Sequence, residues 1–98
     1  MIVGRFKAQC RPERTEEVAA AIAAVEAPSR LLPGVVHFDV TRSLSDPNTF
    51  VAVEVFEDRE ALDRQNAQSE VAALLRLVDD GALSRDYEWT FWETSAQY

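Results

Sequence analysis

Phe50-Val51-Ala52-Val53-Glu54-Val55-Phe56 sets a valine at every second position, and alternation with a period of two is the mark of a β-strand. Upstream, Val35 to Arg42 alternates as well: Val36, Phe38 and Val40 fall on one parity, His37, Asp39 and Thr41 on the other. Between the two lies Ser45-Asp46-Pro47-Asn48, whose residues favour a turn because their side chains bond the local backbone or fix φ. Residues 35 to 56 therefore read as a β-hairpin.

Working outward, Ile2 to Cys10 reads as a strand, with Ile2, Phe6, Ala8 and Cys10 on one parity. Arg11-Pro12 opens a helix, since proline suits the first turn, and Glu13, Glu16 and Glu17 complement the positive end of its dipole. Val18, Ala21, Ile22 and Val25 supply its apolar stripe, and Pro28 is expected to end it. A short turn from Ser29 to Leu32 leads to Pro33-Gly34. After the hairpin, Asp58 is a candidate N-cap for a helix through Asn66, and Ser69 for a second piece ending at Gly81. Val71, Leu74, Leu75 and Val78 form the buried stripe of that piece. Ser84 to Glu93 reads as the last strand, with Tyr87, Trp89 and Phe91 on one parity and Trp92 on the other. The order β-α-β-β-α-β defines an α+β, ferredoxin-like single domain over residues 1–98, an antiparallel sheet carrying its helices on one face.

The third strand bears on what covers the other face. Val51, Val53 and Val55 are uniformly β-branched and are expected beneath the helices. Phe50, Ala52, Glu54 and Phe56 are then expected on the opposite, helix-free face. A sheet apolar on both sides needs a second cover, which a two-fold partner packed face to face supplies, so a homodimer is expected. At 98 residues a partner would also add stability that a small core lacks.

Composition narrows the function classes. A net charge of -7, with the ten cations scattered singly, excludes the basic face that a nucleic-acid partner requires. There is no apolar run long enough to span a membrane and no signal-peptide pattern at the start, and the single cysteine, Cys10, allows no internal disulfide. A cytoplasmic location is the expectation. Cys10 reads as a buried, inert thiol. No G-x-S-x-G, Walker-type loop, H-E-x-x-H or C-x-x-C occurs, which removes hydrolase, nucleotide and structural-zinc readings.

The ordered set Pro33-Gly34-Val35-Val36-His37-Phe38, Asp46-Pro47-Asn48 and Glu54-Val55-Phe56-Glu57-Asp58-Arg59-Glu60-Ala61-Leu62 resembles the antibiotic biosynthesis monooxygenase family. Members read "PG…Y", then "DP…F", then "E-x-W" before a helix opening "s-x-e-A". The resemblance implies a dimeric α+β barrel that oxidises a quinol-like or polycyclic aromatic substrate with O2 and without metal, flavin or haem. A protein of that kind binds and deprotonates a phenol and shields the intermediates from water. The strand asparagine and tryptophan of polyketide-oxidising members fall on Ala52 and Phe56, a helix tyrosine on Leu62, and an arginine on Arg76. After "ALxxH", where many members carry histidines, Asn66 is taken as the first histidine's counterpart, and the stretch to Glu70 holds none, which speaks against haem.

The candidate catalytic residues are Glu54, Arg76 and Asn66, and the candidate substrate-binding residues are Phe38, Ala52, Phe56, Trp89 and His37. Each has a plainer reading. Glu54 is either a general base whose pKa burial has raised or a structural carboxylate paired with an arginine. Arg76 could lie on the solvated side of its helix, and His37 could be a surface or dimer-seam residue. Trp89 and Trp92 fall on opposite faces, so at most one lines a cavity. The runner-up to a monooxygenase is a non-catalytic member that binds a small apolar ligand or regulates.

Overall fold

The computed structural model describes residues 1–95. Four strands, β1 (Ile2–Gln9), β2 (Val35–Arg42), β3 (Thr49–Phe56) and β4 (Glu88–Glu93), form one antiparallel sheet in the order β2-β3-β1-β4. Helix α1 (Thr15–Arg30) follows β1, and α2 (Arg59–Asn66) and α3 (Ser69–Asp79) follow β3, giving the ferredoxin-like α+β fold expected. A 3-10 turn, Pro12–Arg14, leads into α1.

Three local expectations need correction. Helix α1 runs two residues beyond Pro28, to Arg30. The proline withholds a donor from the carbonyl of Ala24, but Ala24 is exposed, so water can satisfy that group. Ser29 then secures the last turn by donating its hydroxyl to the Val25 carbonyl at 2.6 Å. Gln68, not Ser69, stands at the N-cap of α3, and its side chain makes no cap bond. The last strand begins at Glu88 rather than Ser84.

Asp58 does cap α2, accepting from the Ala61 N–H at 2.9 Å. Asp58→Ala is expected to cost about 1 kcal/mol, measured as a lower urea midpoint with unchanged slope. Gly34, with φ of +84°, turns the chain into β2 where a Cβ would sit 2.6 Å from that of Ala61.

The largest correction concerns the faces of the sheet. Phe50, Ala52, Glu54 and Phe56 all point beneath the helices and are buried, while Val53 on the other parity is 44% exposed. The expected assignment is inverted. Valine's strand preference holds for either face, whereas the two phenylalanines have the most area to gain from the core. Register then fixes the neighbours. On the helix side, one row across the sheet reads Phe38, Glu54, Gly4, Phe91, and the next reads Val40, Ala52, Phe6, Trp89. On the open side the rows are His37, Val55, Val3, Trp92 and then Asp39, Val53, Arg5, Thr90. Trp89 and Trp92 thus do lie on opposite faces.

The core divides along the sheet. Ala8, Cys10, Val18, Ile22, Phe50 and Leu83 pack at one end, where burial pushes the Cys10 thiol pKa up. Ile2, Phe56, Ala61 and Leu62 pack at the other, and Val25, Phe38 and Val71 lie between helices and sheet.

Candidate functional site

Between the sheet and the helices lies a cavity of about 50 Å³. A water needs roughly 10–15 Å³ by the same kind of measure, so the space holds a few waters and must widen to take a ring. Phe6, Ala52, Glu54 and Trp89 from the sheet form its floor, and Ile22, Val25, Val71 and Leu74 its helical wall. Phe38 and Val40 close the β2 side. The polar exceptions are Glu54, Gln65 and Asn66.

Glu54 is 2% exposed, and its Oε2 accepts from the Trp89 indole N–H at 3.0 Å. Glu54 on β3 and Trp89 on β4 flank β1, and Gly4 makes their meeting possible. A Cβ at residue 4 would lie 2.8 Å from the Phe91 ring and 3.3 Å from Glu54 Oε2. Burial raises the Glu54 pKa to about 7, because a carboxylate loses its hydration there, while the Trp89 hydrogen bond works in the opposite direction. No arginine pairs with Glu54 among the described residues; the partner is an indole. Its second oxygen, Oε1, has no protein partner among them, yet it is not sealed from accessible space.

Beside this pair stands an aromatic group. Phe6 lies 5.4 Å from both Tyr87 and Trp89 between ring centroids, and Trp89 lies 5.4 Å from Phe91. Tyr87 and Phe91 are partly exposed. Trp89 also lines a surface groove with Val78 and Tyr87, and Asn66 one with Leu62 and Phe91, which puts both at the cavity's rim.

Of the residues singled out from the sequence, Phe38, Ala52, Glu54, Asn66 and Trp89 come together here. Phe56 does not; it is fully buried against Ile2, Ala61 and Leu62. Arg76 is exposed on α3, outside the cavity that Val71, Leu74 and Leu75 of the same helix line. His37 is exposed on the helix-free face. The cavity itself lies between this chain's own sheet and helices.

Two contributors were missed. Gln65, 2% exposed, points into the cavity, whereas its neighbour Asn66 is exposed at the edge. Counted from Ala61-Leu62, the "ALxxH" spacing ends on Gln65, so the histidine's counterpart is Gln65 rather than Asn66. Gly4 was the other, and a lone glycine in a strand was the available signal, since it often marks a close approach. Among the described residues no three His, Cys, Asp or Glu side chains gather in a way that could hold a metal ion.

The sequence profile of the antibiotic biosynthesis monooxygenase family matches residues 1–76. The chain belongs to that family. Solved structures agree on the fold. One is described as an antibiotic biosynthesis monooxygenase and is 22% identical, with 98% of this chain and 100% of that one covered and a TM-score of 0.86. A Mycobacterium tuberculosis protein is 20% identical over 98% of this chain and 96% of its own, with a TM-score of 0.87. A Pseudomonas aeruginosa protein is 20% identical over 97% and 94%, with a TM-score of 0.85. A search of curated proteins finds no match. No helix among the described residues is long and apolar enough to cross a membrane.

Proposed function

We propose that this chain is a cofactor-independent monooxygenase that oxidises a hydroxylated aromatic, quinol or polyketide-like substrate with O2, Glu54 serving as the proton acceptor. One observation carries the reading: a nearly inaccessible carboxylate in an apolar cavity, tethered through one oxygen to Trp89 and free at the other. The neutral–charged balance near pH 7 suits a group that must take up a proton and return it.

For an anthrone-type ring the sequence of events balances as follows. Glu54 removes a proton to leave a delocalised anion, which gives one electron to O2. The resulting radical and superoxide combine into a peroxide, and Glu54 returns the proton to its outer oxygen. Loss of water, with the remaining hydrogen of that carbon, leaves a carbonyl. The ring CH2 and O2 become C=O and H2O, four electrons passing from carbon to oxygen. A hydroquinone ending as hydroxyquinone and water gives the same count. Val25, Phe38, Val71 and Leu74 exclude bulk water from the intermediates.

The test is oxygen uptake with a panel of anthrones and hydroquinones. Substrate-dependent uptake by the metal-free, flavin-free protein is expected. Ligand binding without uptake across the panel would instead assign the non-catalytic role.

We further propose that the chain acts as a homodimer through its open sheet face. Val3, Val51, Val53, Val55 and Trp92 share that side, and Trp92 is 51% exposed. An unpartnered apolar band of this kind marks an interaction surface, and one residue at its middle should decide it. Light scattering is expected to give twice the chain mass for wild type and the chain mass for Val53→Asp, whose carboxylate would have to shed its water to enter the seam. A wild type that stays monomeric at micromolar concentration contradicts this.

A further inference from the structure

The orientation of the buried Gln65 amide follows from a chain of hydrogen bonds that begins at a carbonyl. The Val25 carbonyl can only accept, so the Ser29 hydroxyl spends its one proton there, at 2.6 Å. Ser29 Oγ must then accept from Gln68, at 3.0 Å, which fixes the Gln68 atom as its amide nitrogen. That nitrogen lies 2.9 Å from the Gln65 side chain, which must therefore present its oxygen. The Gln65 NH2 group is left on the other side. It has no protein partner among the described residues, yet it is not sealed from accessible space, and the residue lines the same cavity as Glu54.

A buried amide with unused donors is costly unless something accepts from it. Neither of the cavity's other polar residues, Glu54 and Asn66, bonds it, which leaves water to accept in the free protein and a ligand oxygen to replace that water on binding.

We propose that Gln65 is a substrate-orienting residue: its amide donates to a carbonyl or quinone oxygen while Glu54 accepts from a hydroxyl, so the cavity selects a phenolic aromatic ketone over a phenol lacking the carbonyl. This deepens, and rests on, the reading of the cavity as the substrate site. Two-point recognition also sets the ring's in-plane orientation, which Glu54 alone, holding one oxygen, leaves free. Discrimination by a missing acceptor is strong in such settings, because the ligand without it leaves the buried donor unpaired.

The probes are two-ring compounds on one carbon frame: the phenolic hydroxytetralones, tetralone and tetrahydronaphthol. In calorimetric titrations the wild type is expected to bind at least one hydroxytetralone isomer about tenfold or more tighter than tetrahydronaphthol. In Gln65→Met, of similar size and shape, that ratio should fall below about threefold, with tetrahydronaphthol bound as before. The variant leaves Gln68 its bonds to Ser29 Oγ and to the Gln65 backbone carbonyl, which limits the structural cost. A second measurement uses the wild type alone: the Gln65 side-chain NH2 resonances in a nitrogen-15 spectrum should shift with tetralone and stay put with tetrahydronaphthol. An unchanged ratio in Gln65→Met, equal affinities in the wild type, or an unmoved amide signal would overturn the assignment. If tetrahydronaphthol still binds and Glu54→Gln weakens it, the cavity remains the substrate site and only the role of Gln65 falls. Failure of every probe to bind the wild type overturns both.

Discussion

Glu54→Gln should lower aromatic-dependent oxygen uptake by about a hundred- to ten-thousandfold, the range that a positioned general base contributes. Glutamine has nearly the same shape and keeps an oxygen for the Trp89 indole, so the cavity stays intact while the proton acceptor is lost. The pH dependence gives an independent check. In the proposed reaction the ionised carboxylate is the active form, and with its pKa at about 7 wild-type uptake should rise as pH increases through 7 and level off above it. The residual rate of the variant should lack that inflection. An oxygen electrode read from pH 5 to 9 distinguishes the cases, and a variant as fast as wild type would remove Glu54 from the chemistry.

The same substitution should stabilise the protein in alkaline buffer. Burial holds the folded-state pKa at about 7, above the usual 4.5. Between those values the folded chain therefore binds a proton that the unfolded chain has released, and stability falls as pH rises. The contribution is fully present below about 4.5 and lost by the time pH has passed 7. At about 1.4 kcal/mol per pH unit the loss amounts to roughly 3 kcal/mol. Other carboxylates also titrate, so the informative quantity is the difference between wild type and Glu54→Gln in urea unfolding. It should be near zero at pH 4 and favour the variant by up to about 3 kcal/mol at pH 8. A difference that does not change with pH would show that Glu54 is well solvated. Opposite signs for turnover and stability at one residue are what a retained functional carboxylate produces.

The elements were legible because each rests on a local rule: alternation in β3, the Asp46-Pro47-Asn48 turn, the Asp58 cap. The sidedness of β3 was not, because valine, phenylalanine and alanine all suit a buried face. The deciding residue, Glu54, violates the apolar pattern of the side it occupies. Local rules fail in this way where a polar group is kept in the core for a purpose. Arg76 illustrates a different limit. A family position can be matched in sequence while the helix turns that side chain to solvent, as the neighbouring Leu75 lines the cavity. Gln65 was out of reach for a third reason, since its orientation is set through the nearby Gln68 by Ser29, which is distant in sequence and reaches Gln68 only by packing α1 against α3.

That Glu54, Gln65 and Trp89 meet within one chain has a kinetic consequence. Each subunit of a dimer would carry its own proton acceptor, indole and amide. Specific activity should then be independent of protein concentration, saturation should be hyperbolic, and ligand should bind one molecule per chain. The Val53→Asp chain, separated from its mate, should keep its affinity for the tetralone probes. Assembly would govern how long the protein lasts, and the single chain how fast it works.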